Sequence, residues 1–230
     1  MKIRLAFIAS AAAIACAGSP SYAAGFMPDG TYDYSFKQNG NAIADSTVTV
    51  KRSGSVIAIH ESQTVTQTQV GSVQLTADET VLADSYEPLT FGCTTVSSGK
   101  TSEVKFAYAN GSGYFQINGE RMSVPVRMLP GTTAMIVQDQ SLTLSFLTLP
   151  ALLGASRATS LTAVVPTASR TFLMSVDPSP QTKPAGVPAA DAGVGVALPI
   201  SFTVWTDPAG VVDEVDVPAQ ALSINLTKRS

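Results

Sequence analysis

Chemistry in this chain of 230 residues would have to pass through very few side chains: one histidine, His60, and two cysteines, Cys16 and Cys93. A general base or a nitrogen metal ligand means His60, and a thiol nucleophile means Cys93 activated by His60. The two fall in different strand-like runs, and nothing in the spacing joins them. In Val56-Ile-Ala-Ile-His-Glu61, alternation puts His60 on one face with Val56 and Ala58, and Glu61 on the other with Ile57 and Ile59. Cys93 sits in Leu89-Thr-Phe-Gly-Cys-Thr-Thr-Val96 and reads as a small buried hydrophobe, the other reading being a reactive or dimerising thiol. No Gly-x-Ser-x-Gly elbow occurs. The acids Asp207, Asp213, Glu214 and Asp216 lack the Asp-x-Asp-x-Asp-Gly spacing of a calcium loop, so they read as solvated charge on an edge strand. The expectation is a protein that is not an enzyme, with no catalytic residue, metal or cofactor.

Binding remains. Tyr32, Tyr34 and Phe36 alternate onto one face, a stripe that either packs a core or walls a pocket. With Phe146 and Trp205 as further large aromatics, the candidate ligand-binding residues are Tyr34, Phe36, Phe146 and Trp205.

The elements that would position them are strands. Alternating runs at 31–36, 46–50 and 56–61 are separated by Gln38-Asn-Gly-Asn41 and Arg52-Ser-Gly-Ser55, which predicts a meander. A β-rich pattern continues from Gln63 to Gln74 through a break at Gly71-Ser72. Further strands are expected at 86–96, 101–109 and 113–117. Asn118-Gly119 then turns into 120–126, where Pro125 argues for a sheet edge. Strands at 161–165, 171–176, 200–205, 211–217 and 222–226 complete the count. The fold class is all-β with one or two short helices, an antiparallel meander forming a half-barrel or curved sheet.

One segment breaks the rhythm. Leu142, Phe146, Leu149 and Leu153 recur at helical spacing, predicting a helix near 139–153 with Asp139 or Ser141 as its cap, Gly154 as its end, and a kink or shortening at Pro150. Leu142-Thr-Leu-Ser-Phe146 also alternates, so a strand is the competing reading. Such an apolar helix over a curved sheet would serve as the lid of a greasy cavity. Residues 177–195, with Pro178, Pro180, Pro184 and Pro188 among Ala and Gly, read as a long exposed loop.

Composition places the protein outside the cytoplasm. Lys2 and Arg4, an apolar run from Leu5 to Ala17 and small residues up to Ala23 form an export signal, residues 1–23, ahead of a single β-rich domain at 24–230. The alternative is lipid anchoring at Cys16 through Ala13-Ile-Ala-Cys16. Removing the signal leaves 12 basic against 17 acidic side chains, a net charge near −5 with no basic stripe, which excludes nucleic acid as a partner. No later stretch is long and apolar enough to span a membrane, so the mature chain is expected to be periplasmic or secreted.

The exported all-β layout, the late leucine-rich segment and the hairpin Trp205-x-Asp207-x-x-Gly210 resemble the half-barrel periplasmic proteins related to lipoprotein carriers of the LolA/LolB type. The resemblance implies an incomplete barrel that holds acyl chains or another apolar ligand without catalysis. The Pro/Ala-rich insertion departs from that pattern. Two functions are therefore expected in turn: a carrier of an apolar small molecule or lipid, or a structural β-sandwich module that meets another envelope protein.

Overall fold

The computed structural model describes residues 25–66, 71–122, 125–139, 142–177 and 182–230. The expected export signal at 1–23 and Cys16, the alternative anchoring site, lie outside the described residues.

The first meander runs through β1 (Gly30–Gln38), β2 (Asn41–Ser53), β3 (Val56–Val65), β4 (Val73–Leu82), β5 (Pro88–Ser97), β6 (Lys100–Ala109), β7 (Ser112–Ile117) and the two-residue β8 (Glu120–Arg121). Its turns are made where the sequence offers them: Asn39-Gly40 and Asn118-Gly119 take positive φ of 51° and 79°, and 47° and 88°, the conformation a tight hairpin needs. Alternation is clean. β3 buries Ile57, Ile59, Glu61 and Gln63 and exposes Ala58, His60, Ser62 and Thr64. Of the predicted 120–126 strand, the described residues show β8 and a single bridge between Gly113 and Val126, beside Pro125.

The second meander is read backwards from the C-terminus: β15 (Leu222–Arg229), β14 (Val212–Val217), β13 (Phe202–Thr206), β12 (Ala192–Leu198), β11 (Arg170–Asp177) and β10 (Ser160–Val165). β1 pairs with β15, so the two meanders join into one sheet of 15 strands in the order β8-β7-β6-β5-β4-β3-β2-β1-β15-β14-β13-β12-β11-β10-β9. This is a single curved sheet, not two sheets packed face to face. β12 begins at Ala192, so the 177–195 loop is shorter than expected at its far end. Val194 and Val196 find buried places between β11 and β13, and pairing on both sides outweighs the glycines of Ala-Gly-Val-Gly-Val.

β9 (Met135–Val137) was not legible as a strand, because three apolar residues carry no period. It pairs parallel with β10, in a sheet that is otherwise antiparallel. A parallel pair needs a crossover, and the leucine-rich segment is that crossover. It forms α1 (Leu144–Leu147) and α2 (Leu149–Ser156). Helix is thus the correct reading of its spacing, with a later start than expected and a break at Thr148. Pro150, in the first turn of α2, has no N–H to give to the carbonyl of Phe146, so the break falls just before it, at Thr148. Asp139 is not the residue before α1: that is Thr143, which makes no side-chain cap, and the other expected cap, Ser141, lies outside the described residues. The end lies at Ser156, closed by left-handed Arg157, whose N–H reaches the carbonyl of Leu153.

Residues 144–147 and 149–153 are all buried. A helix that is apolar all round must be covered on every side. Phe146 meets Phe202 of β13 edge-on at 5.3 Å, while the amides before and at the start of α1 bond to Glu61 of β3. β3 and β13 are five places apart in the sheet, so the sheet curls around these helices. β9 comes back to pack against β5. The leucine-rich segment is therefore the filling of the curl, where a lid had been expected.

Candidate functional site

Of the aromatics expected to bind a ligand, three lie in the filled interior. Tyr34 and Phe36 point inward from β1, 1% and 3% exposed, and Phe146 joins them in the same core cluster. The Tyr34 hydroxyl donates to the carbonyl of Val212 at 3.0 Å, which fixes the ring. Trp205 is placed differently. Phe202 and Val204 alternate with it, and Phe202 faces the helices, so the indole points to the other face of β13. There it lies so close to Gly193 that a Cβ on that residue would sit 2.5 Å from the ring. Lys183 stands 5.4 Å from its centroid and donates to the carbonyls of Pro188, Ala189 and Asp191 at 2.9, 3.0 and 2.8 Å. That ammonium folds the Pro/Ala-rich loop around itself and over the indole. The structure brings Tyr34, Phe36 and Phe146 together and sets Trp205 apart.

His60 and Cys93 are also on opposite faces. His60 lies outside, with Nδ1 2.8 Å from Asp78 of the neighbouring strand. Cys93 faces inward from β5, where burial pushes its thiol up to about 11 and keeps it protonated. Ser-x-x-Lys spacings at Ser97/Lys100 and Ser102/Lys105 fall on a hairpin and a strand, not on the helical turn that this motif needs. The C-terminal acids need a correction: β14 is an interior strand between β13 and β15, so they are not edge charge. Arg229 of β15 bonds to both Asp207 and Asp213, and Asp207 also accepts the amides of Ala209 and Val211 at 2.9 Å each. Burial and the neighbouring Asp213 raise the Asp191 carboxyl above its usual range. Among the described residues no group of three or more His, Cys, Asp or Glu is arranged to hold a metal ion.

The carboxyl groups of Glu61 and Glu79 face the interior from the first meander. Glu61 accepts the amides of Thr143 and Leu144 at 3.0 and 2.8 Å and the Ser46 hydroxyl at 2.7 Å. A strand residue thus does what a local cap would do, satisfying the orphan amides where α1 begins. Burial raises the Glu61 carboxyl while these donors pull it down. Glu79, between Ile59 and Phe91 on the adjoining strands, has no hydrogen-bond partner, and burial alone pushes it up to about 8. Alternation carried both signals: Glu61 shares a face with Ile57 and Ile59, and Glu79 with Leu75, Ala77 and Val81.

The second half of the sheet carries an open cleft of about 510 Å³, within the range of about 300–1,000 Å³ usual for ligand sites. Val165, Ala168, Phe172, Pro199 and Ile200 make its apolar walls, and Gln138, Asp139 and Arg170 its polar points. The strand ends bring them together. Gln138 follows β9 and donates its backbone N–H to the Val164 carbonyl, Val165 pairs with Arg170, and Pro199 and Ile200 follow β12. Asp139 accepts the Thr167 hydroxyl. Gln138 is 2% exposed, yet neither its Nε2 nor its Oε1 has a partner. Sequence reasoning missed this site because its residues come from three separate stretches with no common motif. A second cleft, beside Asp84, Glu87 and Leu152, offers only about 200 Å³.

The architecture is that of a β-barrel-like domain. The chain is similar to a crystal structure from Brucella abortus, a β-barrel-like protein of the domain of unknown function DUF1849, with a TM-score of 0.52 and 12% identity over 90% of this chain and 99% of that one. A DUF1089 family protein from Pseudomonas aeruginosa superposes with a TM-score of 0.44 at 12% identity, covering 85% of this chain and 92% of that one. The first likeness is one of fold. No family model matches the chain, and no curated protein does. A LolA/LolB carrier is not among these likenesses.

Proposed function

We propose that this is an exported, non-catalytic protein of the cell envelope that binds an apolar ligand, such as a lipid, in the cleft between the ends of β9–β12. The observation that carries the reading is the cleft itself: about 510 Å³, walled by Phe172, Ile200 and three smaller apolar residues, with Asp139 and Arg170 among its polar lining. Ligand sites combine such apolar walls with a few oriented polar groups. The carrier function implied by the LolA/LolB resemblance is kept, with a different seat for the ligand, because α1 and α2 fill the curl where an acyl chain would have lain. Export rests on the charged and apolar pattern of residues 1–23. The non-catalytic reading is supported by His60 and Cys93 facing away from one another.

Native mass spectrometry of the protein purified from an envelope fraction tests the reading. Co-purifying apolar ligand, lost in Phe172→Ala with the melting temperature kept within a few degrees, is the expected result. A well-folded wild-type protein that carries no ligand and takes up no hydrophobic dye would overturn it.

A further inference from the structure

The charged residues of the cleft differ in what they have left to give a ligand. Ala168, Arg170 and Pro199 are its exposed members and mark its mouth, while Val165, Phe172 and Ile200 are half-buried behind them. Arg170 pairs with Val165 across the hairpin and shares a face of β11 with Phe172, so its long side chain is rooted in the apolar wall. Among the described residues it has no carboxylate, carbonyl or ring as partner. Three other arginines are spent: Arg52 on Asp29, Arg229 on Asp207 and Asp213, and Arg121 over the ring of Tyr114. Asp139, the acid of the cleft, is engaged as well, because it is 5% exposed and accepts the Thr167 hydroxyl. The charge left to meet a ligand is therefore the guanidinium. It keeps its proton at any physiological pH, and its planar fork matches the paired oxygens of a carboxylate or a phosphate.

Resting on the reading above that the cleft binds an apolar ligand, we infer that this ligand is an anionic amphiphile, whose oxyanion head pairs with Arg170 while its chain lies against Phe172 and Ile200. The same head could come from a fatty acid, as a carboxylate, or from a single-chain phospholipid, as a phosphate. Both offer the fork two oxygens, and half-buried apolar walls beside the pair make it stronger than one in open water.

Isothermal titration of the purified protein near pH 7.5 with four probes tests this: decanoate, decyl phosphate, decanol and decyltrimethylammonium. At least one of the two anions should bind roughly tenfold more tightly than decanol, which has the same chain and no charge. Raising the salt from about 0.05 to about 0.5 M should shrink that advantage and leave decanol as before. In Arg170→Met the preference should collapse, with decanol bound as in the wild type. Because Arg170 is exposed, this variant should melt within about two degrees of the wild type. Whichever of decanoate and decyl phosphate binds more tightly identifies the fatty-acid or the phospholipid source. Anions that bind no more tightly than decanol, a preference that survives Arg170→Met, or tightest binding of the cationic probe would overturn the anionic assignment and leave the cleft as an apolar site. If no probe binds the folded protein, the cleft-binding reading falls and the anionic head with it.

Discussion

The two halves of the sheet bury their residues in different ways. From β1 to β7 the strands are mostly nine residues or longer and alternate, with one face on the core and one in water. From β9 to β13 they are shorter, and β9 and β13 are buried at every position. The first half is a wall. In the second half β9, β13 and the middle of β10 are buried on both faces, while β11 and β12 keep exposed residues, and an apolar cleft is left where the strand ends do not meet. Antiparallel strands with one wet face announce themselves by period, whereas strands covered twice read as unpatterned apolar runs.

Phe146→Ala breaks the comparison most severely. Its ring couples the helices to β13, and truncation of a buried Phe costs about 3–5 kcal/mol, read as a lower urea midpoint with an unchanged slope. A loss below about 1 kcal/mol would mean that the helices do not hold the curl.

Glu79 probes the first half. Its carboxyl is raised by burial from 4.5 to about 8, so between those pH values the folded chain keeps a proton that the unfolded chain has lost. Stability is therefore full below pH 4.5, falls as the pH rises through this window and levels off above about 8, a total on the order of a few kcal/mol. Glu79→Leu should flatten that slope in denaturant titrations at pH 5 and pH 8. An undiminished slope would remove Glu79 as its source.

The smallest effect is expected on the outer face of the same wall. His60 and Asp78 are 51% and 73% exposed, and such pairs contribute about 0–1 kcal/mol. His60→Ala should leave ligand content unchanged and the melting temperature within about two degrees. A loss of binding would move the functional site from the cleft to this face.

Much of the first half was legible in the sequence. Asn39-Gly40 and Asn118-Gly119 fixed two hairpins, and alternation placed Tyr34 and Phe36 inward. The leucine spacing marked the helix but not its depth, because a 3.6-residue period is the same for a lid and for a filling. Surroundings decide between them, here through Glu61 on β3 and Phe202 on β13. The cleft was out of reach for a related reason: Gln138, Arg170 and Ile200 meet only after β9 to β12 have paired.

The ends of the sheet have a further consequence. One rim is β8, two charged residues long, and the other is β9, tucked against β5. A sheet this broad with long bare rims would recruit strands from other copies and grow into fibres. Among the described residues one margin is only two residues long and the other is packed inside its own molecule, which limits the backbone ladder that another copy could extend.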